Sequence, residues 1–277
     1  ALPWILIIAF WIILMRRMQN GGGGGTKGIF SFGKSKAKMM SGTQMKVTFA
    51  DVAGADEAKQ ELSEIIEFLK SPGKFQKLGG KIPRGVLLLG PPGTGKSSIV
   101  RAMAGHVFGD DENAVFAELT SSDFLSSYFS ESEMRVRQIF AEAGMHDGPV
   151  ILYLDEIDSL ARSKSGSECD TTRRIKNELL RGLDAVQDAA NVWVIASTNV
   201  PWDLEVAVLR RFERRMHVPR PDAEDRRAMM IFYLDTRDRA TSSSTTAINL
   251  DEAVTRTAGY CGSDLRGVCR YAELAAV

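Results

Sequence analysis

Apolar and polar positions alternate between two patterns along most of the chain. Short, almost continuously apolar segments predict buried strands, at residues 86–89, 114–119, 150–154, 192–196 and 216–218. Apolar residues at spacings of three and four predict helices between them, over 55–69, after Lys96, over 131–143 and over 172–185. Strands and helices in alternation are typical of a parallel sheet flanked by helices. We therefore predict an α/β domain over residues 49–220.

The pattern changes after Pro219 and Pro221. The strand signal stops there, and residues 221–277 carry only helical patterns. We predict a small, partial helical domain over this stretch.

The start of the chain has the character of a membrane segment. Its first fifteen residues, ALPWILIIAFWIILM, are uncharged and almost wholly apolar, and Arg16 and Arg17 follow directly. As a helix they would cover about 22 Å of a roughly 30 Å hydrocarbon layer. We expect a truncated transmembrane helix within residues 1–18, with a buried core helix as the alternative. The positive-inside rule then predicts that the body lies on the cytoplasmic or matrix side.

Residues 19–48 combine a run of glycines with scattered Lys, Ser and Met, and they show little periodicity. This composition is typical of a flexible linker. Its basic residues suit anionic lipid headgroups, and plain solvation explains them equally well.

Charge and cysteine content narrow the range of partners. Residues 1–50 hold seven Lys or Arg and no acidic residue, so the body is mildly acidic. That balance argues against a nucleic-acid partner. Three cysteines without metal-ligand spacing indicate free thiols in a reducing compartment.

The segment GPPGTGKS, residues 90–97, matches the pattern G-x-x-x-x-G-K-[ST] between a predicted strand and a predicted helix. Glycines let successive backbone N–H groups surround phosphate oxygens, and the helix start adds the positive end of its dipole. Lys96 would reach the β- and γ-phosphates of a nucleotide, and Ser97 would hold Mg²⁺.

Two acidic residues follow the strand at 150–154, in the segment ILYLDEID. The carboxyl ends of parallel strands open onto the ligand in sheets of this kind. We expect Asp155 beside the metal and Glu156 as the base that orients and deprotonates an attacking water. Asp158 we assign to structure or helix capping.

The next strand ends in Thr198 and Asn199, and Asn199 is a candidate sensor of the water or the γ-phosphate. The segment VLRRFERR follows, with Arg210 and Arg211 adjacent. Such a cluster is often a solvated face. The alternative is an arginine that reaches the γ-phosphate held by a neighbouring subunit.

These three motifs, in this order, resemble those of an AAA+ ATPase over Phe49–Val277. Residues 1 to about 97, including VTFADVAGADEAKQEL and FQKLGGKIPRGVLLLGPPGTGK, are similar to FtsH, a membrane-anchored ATP-dependent zinc metalloprotease. From about Ser97 onward, LDEIDSL, TRRIKNELL and ASTNVPWDLEVAVLRRFERR are similar to the katanin, spastin and ESCRT-disassembly branch. The resemblance changes from one branch to the other within the phosphate loop. A chimera of two proteins would show this pattern, and so would a divergent natural member of the family.

The resemblance implies ATP and Mg²⁺ as cofactors and a site made from three segments. The residues it places there are Asp51, Val52, Ala53 and Gly54 beside adenine, Pro91, Pro92, Gly93, Thr94, Gly95, Lys96, Ser97 and Ser98 around the phosphates, and Gly262 and Ser263 on a helical lid. It also implies that Tyr128 and Phe129 lie on a pore loop that grips polypeptide. Cys261 stands where the family usually has Ser.

We therefore expect an enzyme, a membrane-tethered ATPase that threads polypeptide through a homo-hexameric ring. Three alternatives remain open: the ATPase portion of an FtsH-like protease, a katanin-like or ESCRT-disassembly remodeller, and a nucleotide-binding assembly scaffold. The sequence contains no H-E-x-x-H, and its histidines, His106, His146 and His217, are isolated, so they are not expected to be metal ligands.

Overall fold

The computed structural model describes residues 38–41, 47–70, 83–109, 111, 113–124, 129–162, 170–238 and 249–275. Within those ranges the strands are β1 (Lys38–Ser41), β2 (Gly85–Leu89), β3 (Val115–Leu119), β4 (Val150–Leu154), β5 (Val192–Thr198) and β6 (Arg214–His217). They form one sheet in the order β1-β3-β4-β5-β2-β6.

Along the part of the sheet that runs β3-β4-β5-β2-β6, each pair of adjacent strands is parallel. The predicted parallel sheet is thus confirmed, and each of its five predicted strands agrees with the structure to within two residues. The order brings the carboxyl ends of β4, β5 and β2 side by side. The segments that follow these three strands carry the predicted site motifs.

The edge strand β1 is different. It pairs antiparallel with β3, with Lys38 opposite Glu118 and Ser41 opposite Val115. This strand lies within residues 19–48, which the sequence predicts as a flexible linker. A strand of four residues at a sheet edge is too short to produce a recognisable periodicity, so sequence reasoning missed it.

The helices around the sheet are α1 (Asp56–Lys70), α2 (Lys96–Phe108), α3 (Ser121–Phe124), α4 (Phe129–Met145), α5 (Asp158–Ala161), α6 (Asp170–Asp188) and α7 (Val206–Leu209). Short 3₁₀ turns lie at Phe49–Asp51 and Pro201–Asp203. The four longer helices match the predicted ones. The single turns α3, α5 and α7 are each four residues long and were not predicted.

The main core forms where one face of the sheet meets α1 and α2. Val86, Leu88, Ile151 and Tyr153 lie in this core together with Leu62. The residues between them on the strands, such as Leu87 and Leu152, are equally buried. Because successive strand residues point to opposite faces, the sheet is covered on both sides.

The C-terminal part is helical, as the sequence predicts, and consists of α8 (Ala223–Asp238), α9 (Leu250–Arg256) and α10 (Gly262–Ala275). It has a small core of its own around Met229, Met230, Val254, Leu265 and Cys269. We call these helices the lid.

The predicted transmembrane segment, residues 1–18, lies outside the described residues. Among the helices that the structure does describe, none combines the length and apolar character needed to cross a bilayer.

Candidate functional site

The phosphate loop runs from the end of β2 to the start of α2. Gly93 and Gly95 have positive φ angles of 78° and 95°, a conformation that glycine adopts without steric cost. This geometry turns the loop back so that α2 begins at Lys96, with its N-terminus towards the loop's concave side.

Lys96 is buried at the base of this loop, with 7% of its surface exposed. Its ammonium donates hydrogen bonds to the carbonyl oxygens of Gly90 and Pro91, both at 2.8 Å, and to Oδ1 of Asn199 at 2.7 Å. Burial lowers the pKa of Lys96 from its ordinary value, and the nearby charges of Asp155 and other carboxylates act against that shift. The ammonium is thus fixed between the loop and the end of β5.

Ser97 and Asp155 meet directly below the loop. The Ser97 hydroxyl donates to Oδ2 of Asp155 at 2.9 Å. A hydroxyl and a carboxylate side by side are oxygen ligands of the kind that Mg²⁺ takes alongside the phosphates of its substrate. Among the described residues there is no group of three or more His, Cys, Asp or Glu placed to hold a metal ion. The Ser97–Asp155 pair supplies two oxygen ligands of this kind.

Sequence reasoning missed two neighbours of Asp155. The Tyr153 hydroxyl lies 2.9 Å from Oδ1 of Asp155 and 3.1 Å from Oγ of Ser97. The Ser197 hydroxyl donates to the same Oδ1. Burial, together with the charge of Asp155, raises the pKa of Tyr153 above its ordinary value, so its phenol remains a proton donor.

Glu156 has a backbone conformation that is rare for its residue type. Its φ is +53°, and its N–H donates to Oδ1 of Asp155 at 3.1 Å and to Oγ of Ser197 at 3.2 Å. A left-handed conformation costs a non-glycine residue on the order of 1 kcal/mol, and such strain persists where surrounding bonds enforce it. The exposed Glu156 side chain lines the same cavity as Lys96.

Asp158 holds the end of β5 in place. Its Oδ1 accepts a hydrogen bond from the Thr198 hydroxyl at 2.8 Å and lies 3.4 Å from the Asn199 N–H. These contacts position Asn199, the residue that accepts a hydrogen bond from Lys96. Asp158 thus has a structural position, while Asn199 faces the cavity.

A cavity of about 600 Å³ lies between the phosphate loop, the segment around Val52 and the lid. The predicted residues that line it are Asp51, Val52, Ala53, Pro92, Gly93, Thr94, Gly95, Lys96, Ser97, Ser98, Asp155, Glu156, Asn199, Gly262 and Ser263. Gly54 and Pro91 do not line it. Lining residues that the sequence did not indicate are Ala55, Met229, Phe232, Tyr233, Arg266, Cys269 and Arg270.

Asp51 lines the cavity but uses its carboxylate locally. Oδ2 of Asp51 accepts hydrogen bonds from the backbone N–H of Thr48 at 2.7 Å and from its hydroxyl at 2.9 Å. This arrangement is a capping box that fixes the 3₁₀ turn before Val52. The Asp51 carboxylate is thus bound to Thr48, within the same turn.

The lid contacts the phosphate loop directly. The N–H of Ser263 donates to the carbonyl of Gly93 at 3.2 Å, and a Cβ on Gly93 would lie 2.3 Å from Oγ of Ser263 and 2.6 Å from Sγ of Cys261. The N–H and thiol of Cys261 both contact Oδ2 of Asp264, at 2.9 and 2.8 Å. These bonds lower the pKa of Asp264. Cys261 therefore takes part in the turn that starts α10.

The two adjacent arginines have different surroundings. Arg211 makes a double hydrogen bond to the carboxylate of Asp184 on α6, at 2.7 and 3.0 Å, and donates to the carbonyl of Ala207 at 3.0 Å. Arg210 is exposed, and within the described part of the chain its side chain makes no hydrogen bond or ion pair. Neither arginine lines the cavity.

Two protein-family models match the region that contains these motifs. Residues 86–220 match the family model "ATPase family associated with various cellular activities (AAA)", and residues 247–277 match the model of the AAA+ lid domain. A solved structure from work on the structural basis for katanin self-assembly has a TM-score of 0.68 at 33% identity, over 84% of this chain and 72% of that one. The chain belongs to the AAA+ ATPase family. Residues from both matched regions line the cavity described above.

Curated relatives extend the comparison to FtsH. The chain is 42% identical to the ATP-dependent zinc metalloprotease FtsH of Magnetococcus marinus and 40% identical to that of Pelodictyon phaeoclathratiforme, each over 99% of this chain. This AAA+ chain spans about 40% of the length of these relatives. The FtsH match continues well past residue 97, so the FtsH-like character is not confined to the first part of the chain.

The predicted pore residues lie at the margin of the described structure. Tyr128 is outside the described residues, and Phe129 is the first residue of α4.

Proposed function

We propose that this module binds ATP with Mg²⁺ in the cavity between the AAA domain, residues 49–220, and the lid, residues 221–277, and hydrolyses it through the residues named below. The observation that carries the proposal is the cluster at the ends of three adjacent strands. There Lys96 donates a hydrogen bond to Asn199 at 2.7 Å, and Ser97 donates one to Asp155 at 2.9 Å. Glu156 lines the same cavity.

Binding of the phosphates falls to the loop and Lys96. The backbone N–H groups of residues 93–98 and the start of α2 supply partial positive charge, and the Lys96 ammonium supplies a full one. At the opposite end, Val52 and Ala53 together with Met229 and Tyr233 offer apolar and aromatic surface for the adenine base. Gly262 and Ser263 close the cavity from the lid.

Ser97 and Asp155 would hold the Mg²⁺ that accompanies ATP. The ion neutralises charge on the β- and γ-phosphates, which is its ordinary contribution to phosphoryl transfer. On the protein side, the Ser97 oxygen provides a neutral ligand and Asp155 a charged one.

Glu156 acts as the base that orients the attacking water and accepts its proton. Its two backbone bonds to Asp155 and Ser197 hold the residue at the mouth of the phosphate loop. Asn199 orients Lys96 and would sense the γ-phosphate. Each of these side chains sits at a strand end, which keeps the geometry rigid.

The last element comes from a neighbouring copy of the chain. Arg210 is exposed and lies outside the cavity of its own subunit, so it is available to stabilise the γ-phosphate in an adjacent subunit. Arg211 anchors the segment to α6 through Asp184. Head-to-tail contacts of this kind close into rings, and we propose a homo-hexamer.

The ring would act on polypeptide, with Tyr128 and Phe129 gripping an extended chain in its central pore. Residues 1–18 would tether it to a membrane, with the ATPase on the cytoplasmic or matrix side. The identity to FtsH over 99% of the chain favours the ATPase portion of an FtsH-like protease. The likeness to the katanin structure supports a katanin-like or ESCRT-disassembly remodeller as the second candidate.

A mixing experiment tests catalysis between subunits. Arg210→Ala protein keeps an intact pocket, and Lys96→Ala protein keeps an intact Arg210, so each alone is inactive and their mixture recovers part of the ATP hydrolysis. A mixture of Lys96→Ala with Glu156→Gln contains no intact pocket and serves as the matched control, which stays inactive. If energy transfer between dye-labelled variants shows that mixed rings form and the first mixture is still inactive, the proposal is contradicted.

A further inference from the structure

The two carboxylate oxygens of Asp155 have different surroundings. Oδ1 lies within hydrogen-bond distance of three donors: the Tyr153 hydroxyl, the Ser197 hydroxyl and the Glu156 N–H. Within the described residues, Oδ2 accepts a single hydrogen bond, from Ser97 at 2.9 Å. One oxygen is therefore saturated by the protein, and the other faces the proposed cation ligand.

We propose that Tyr153 and Ser197 are positioning residues for the cation that accompanies ATP: their hydroxyls clamp Oδ1 of Asp155, so that Oδ2 and the Ser97 hydroxyl are presented together. The inference rests on the proposed function, because it takes Ser97 and Asp155 as the cation ligands. Donors behind a metal-binding carboxylate fix its orientation, and they matter nearly as much as the ligand itself.

Tyr153 is well suited to this role because its side chain is enclosed. It is the next-to-last residue of β4 with none of its surface exposed, and its ring stacks on Phe116 of β3 at a centroid distance of 6.3 Å. Its hydroxyl carries one proton and lies within reach of two acceptors, Asp155 and Ser97. When the Ser97 oxygen is engaged by a cation, that proton is directed to Asp155, which strengthens the clamp in the loaded state.

Ser197 supplies the same bond from the neighbouring strand. It lies in β5, and its oxygen also accepts the N–H of Glu156 at 3.2 Å. The Ser197 hydroxyl thus ties the proposed cation ligand to the residue proposed as catalytic base. Both clamp residues are buried within their strands.

The test measures the contribution of the cation to nucleotide affinity, without using turnover. A fluorescent ADP analogue is titrated into each protein once with Mn²⁺ and once with EDTA, and the ratio of the two dissociation constants is compared. Tyr153→Phe and Ser197→Ala are each expected to reduce the gain in affinity from Mn²⁺ by about tenfold, the usual effect of losing a partner behind a metal ligand. Affinity in EDTA is expected to stay unchanged.

Three controls make the result decisive. Tyr271→Phe removes the same atom from an exposed side chain outside the cavity and should behave as wild type. Thermal denaturation checks that each variant is folded. Asp155→Asn should abolish most of the gain from Mn²⁺; if it does not, the proposed cation ligand is wrong. If Asp155→Asn loses the gain while folded Tyr153→Phe keeps it in full, the clamp alone is refuted.

Discussion

Replacing Arg210 and Arg211 one at a time should separate stability from catalysis. Among the described residues, the Arg211 side chain donates three hydrogen bonds, two to Asp184 and one to the carbonyl of Ala207. The Arg211 side chain is 30% exposed and that of Asp184 is 54% exposed, so solvent screens the pair. A well-formed bidentate pair in such a setting is worth about 1 kcal/mol, and the carbonyl contact adds a similar amount.

Arg211→Ala should therefore lower the free energy of unfolding by about 1–2 kcal/mol while leaving most of the ATP hydrolysis of the folded protein. Asp184→Ala is the matched control and should show a similar loss of stability. Arg210→Ala should change stability by less than about 0.5 kcal/mol, as is usual for an exposed side chain, yet reduce hydrolysis on the order of 10³-fold. Urea denaturation and a phosphate-release assay measure the two quantities.

The pH dependence gives an independent check. Arg211 lowers the pKa of Asp184, so the pair stabilises the fold above the pKa of an unfolded Asp, near 3.9, and this contribution is lost as pH falls through the lower folded value. The stability gap between wild type and Arg211→Ala should thus close in strong acid. The reasoning is refuted if Arg210→Ala hydrolyses ATP normally, or if Arg211→Ala is fully stable and inactive.

Three further predictions concern the site. Gly93→Ala should weaken nucleotide binding at least tenfold in a fluorescence titration, because its φ is +78° and the added Cβ would lie 2.3 Å from Oγ of Ser263. Asp158→Ala should slow hydrolysis about tenfold and cost roughly 1–3 kcal/mol in urea denaturation, since it releases the Thr198 hydroxyl beneath Asn199. As the pH rises, ATP affinity should begin to decline before the pH reaches 10.5, the ordinary pKa of lysine. The reason is that burial lowers the pKa of Lys96 and only its ammonium binds phosphate. Binding that is flat up to pH 10.5 would contradict this.

The sequence predicts the centre of the fold well because two signals coincide there. Apolar strands end directly in polar motifs, and the parallel arrangement then brings Lys96, Asp155 and Asn199 together. Family motifs add the segment around Val52 and the lid residues near Gly262, which no spacing argument could place.

What the sequence did not predict depends on tertiary packing. Tyr153 reads as one more apolar strand residue, and only the pairing of β4 with β5 brings its hydroxyl and that of Ser197 to the same oxygen. Phe232 and Arg266 line the cavity because the lid folds back over it. No local sequence pattern indicates such a contact. The sequence likewise does not distinguish Arg210 from Arg211. The structure does, because Asp184 forms an ion pair with Arg211.

The most direct test of the account compares Lys96→Ala with Glu156→Gln in one pair of assays, equilibrium binding of a fluorescent ATP analogue and phosphate release. Because Lys96 holds phosphates and Glu156 activates water, Lys96→Ala should lose both binding and hydrolysis, whereas Glu156→Gln should bind ATP with nearly wild-type affinity and release almost no phosphate. Equal loss of binding in the two proteins, or phosphate release by Glu156→Gln at the wild-type rate, would contradict the assignment of the site.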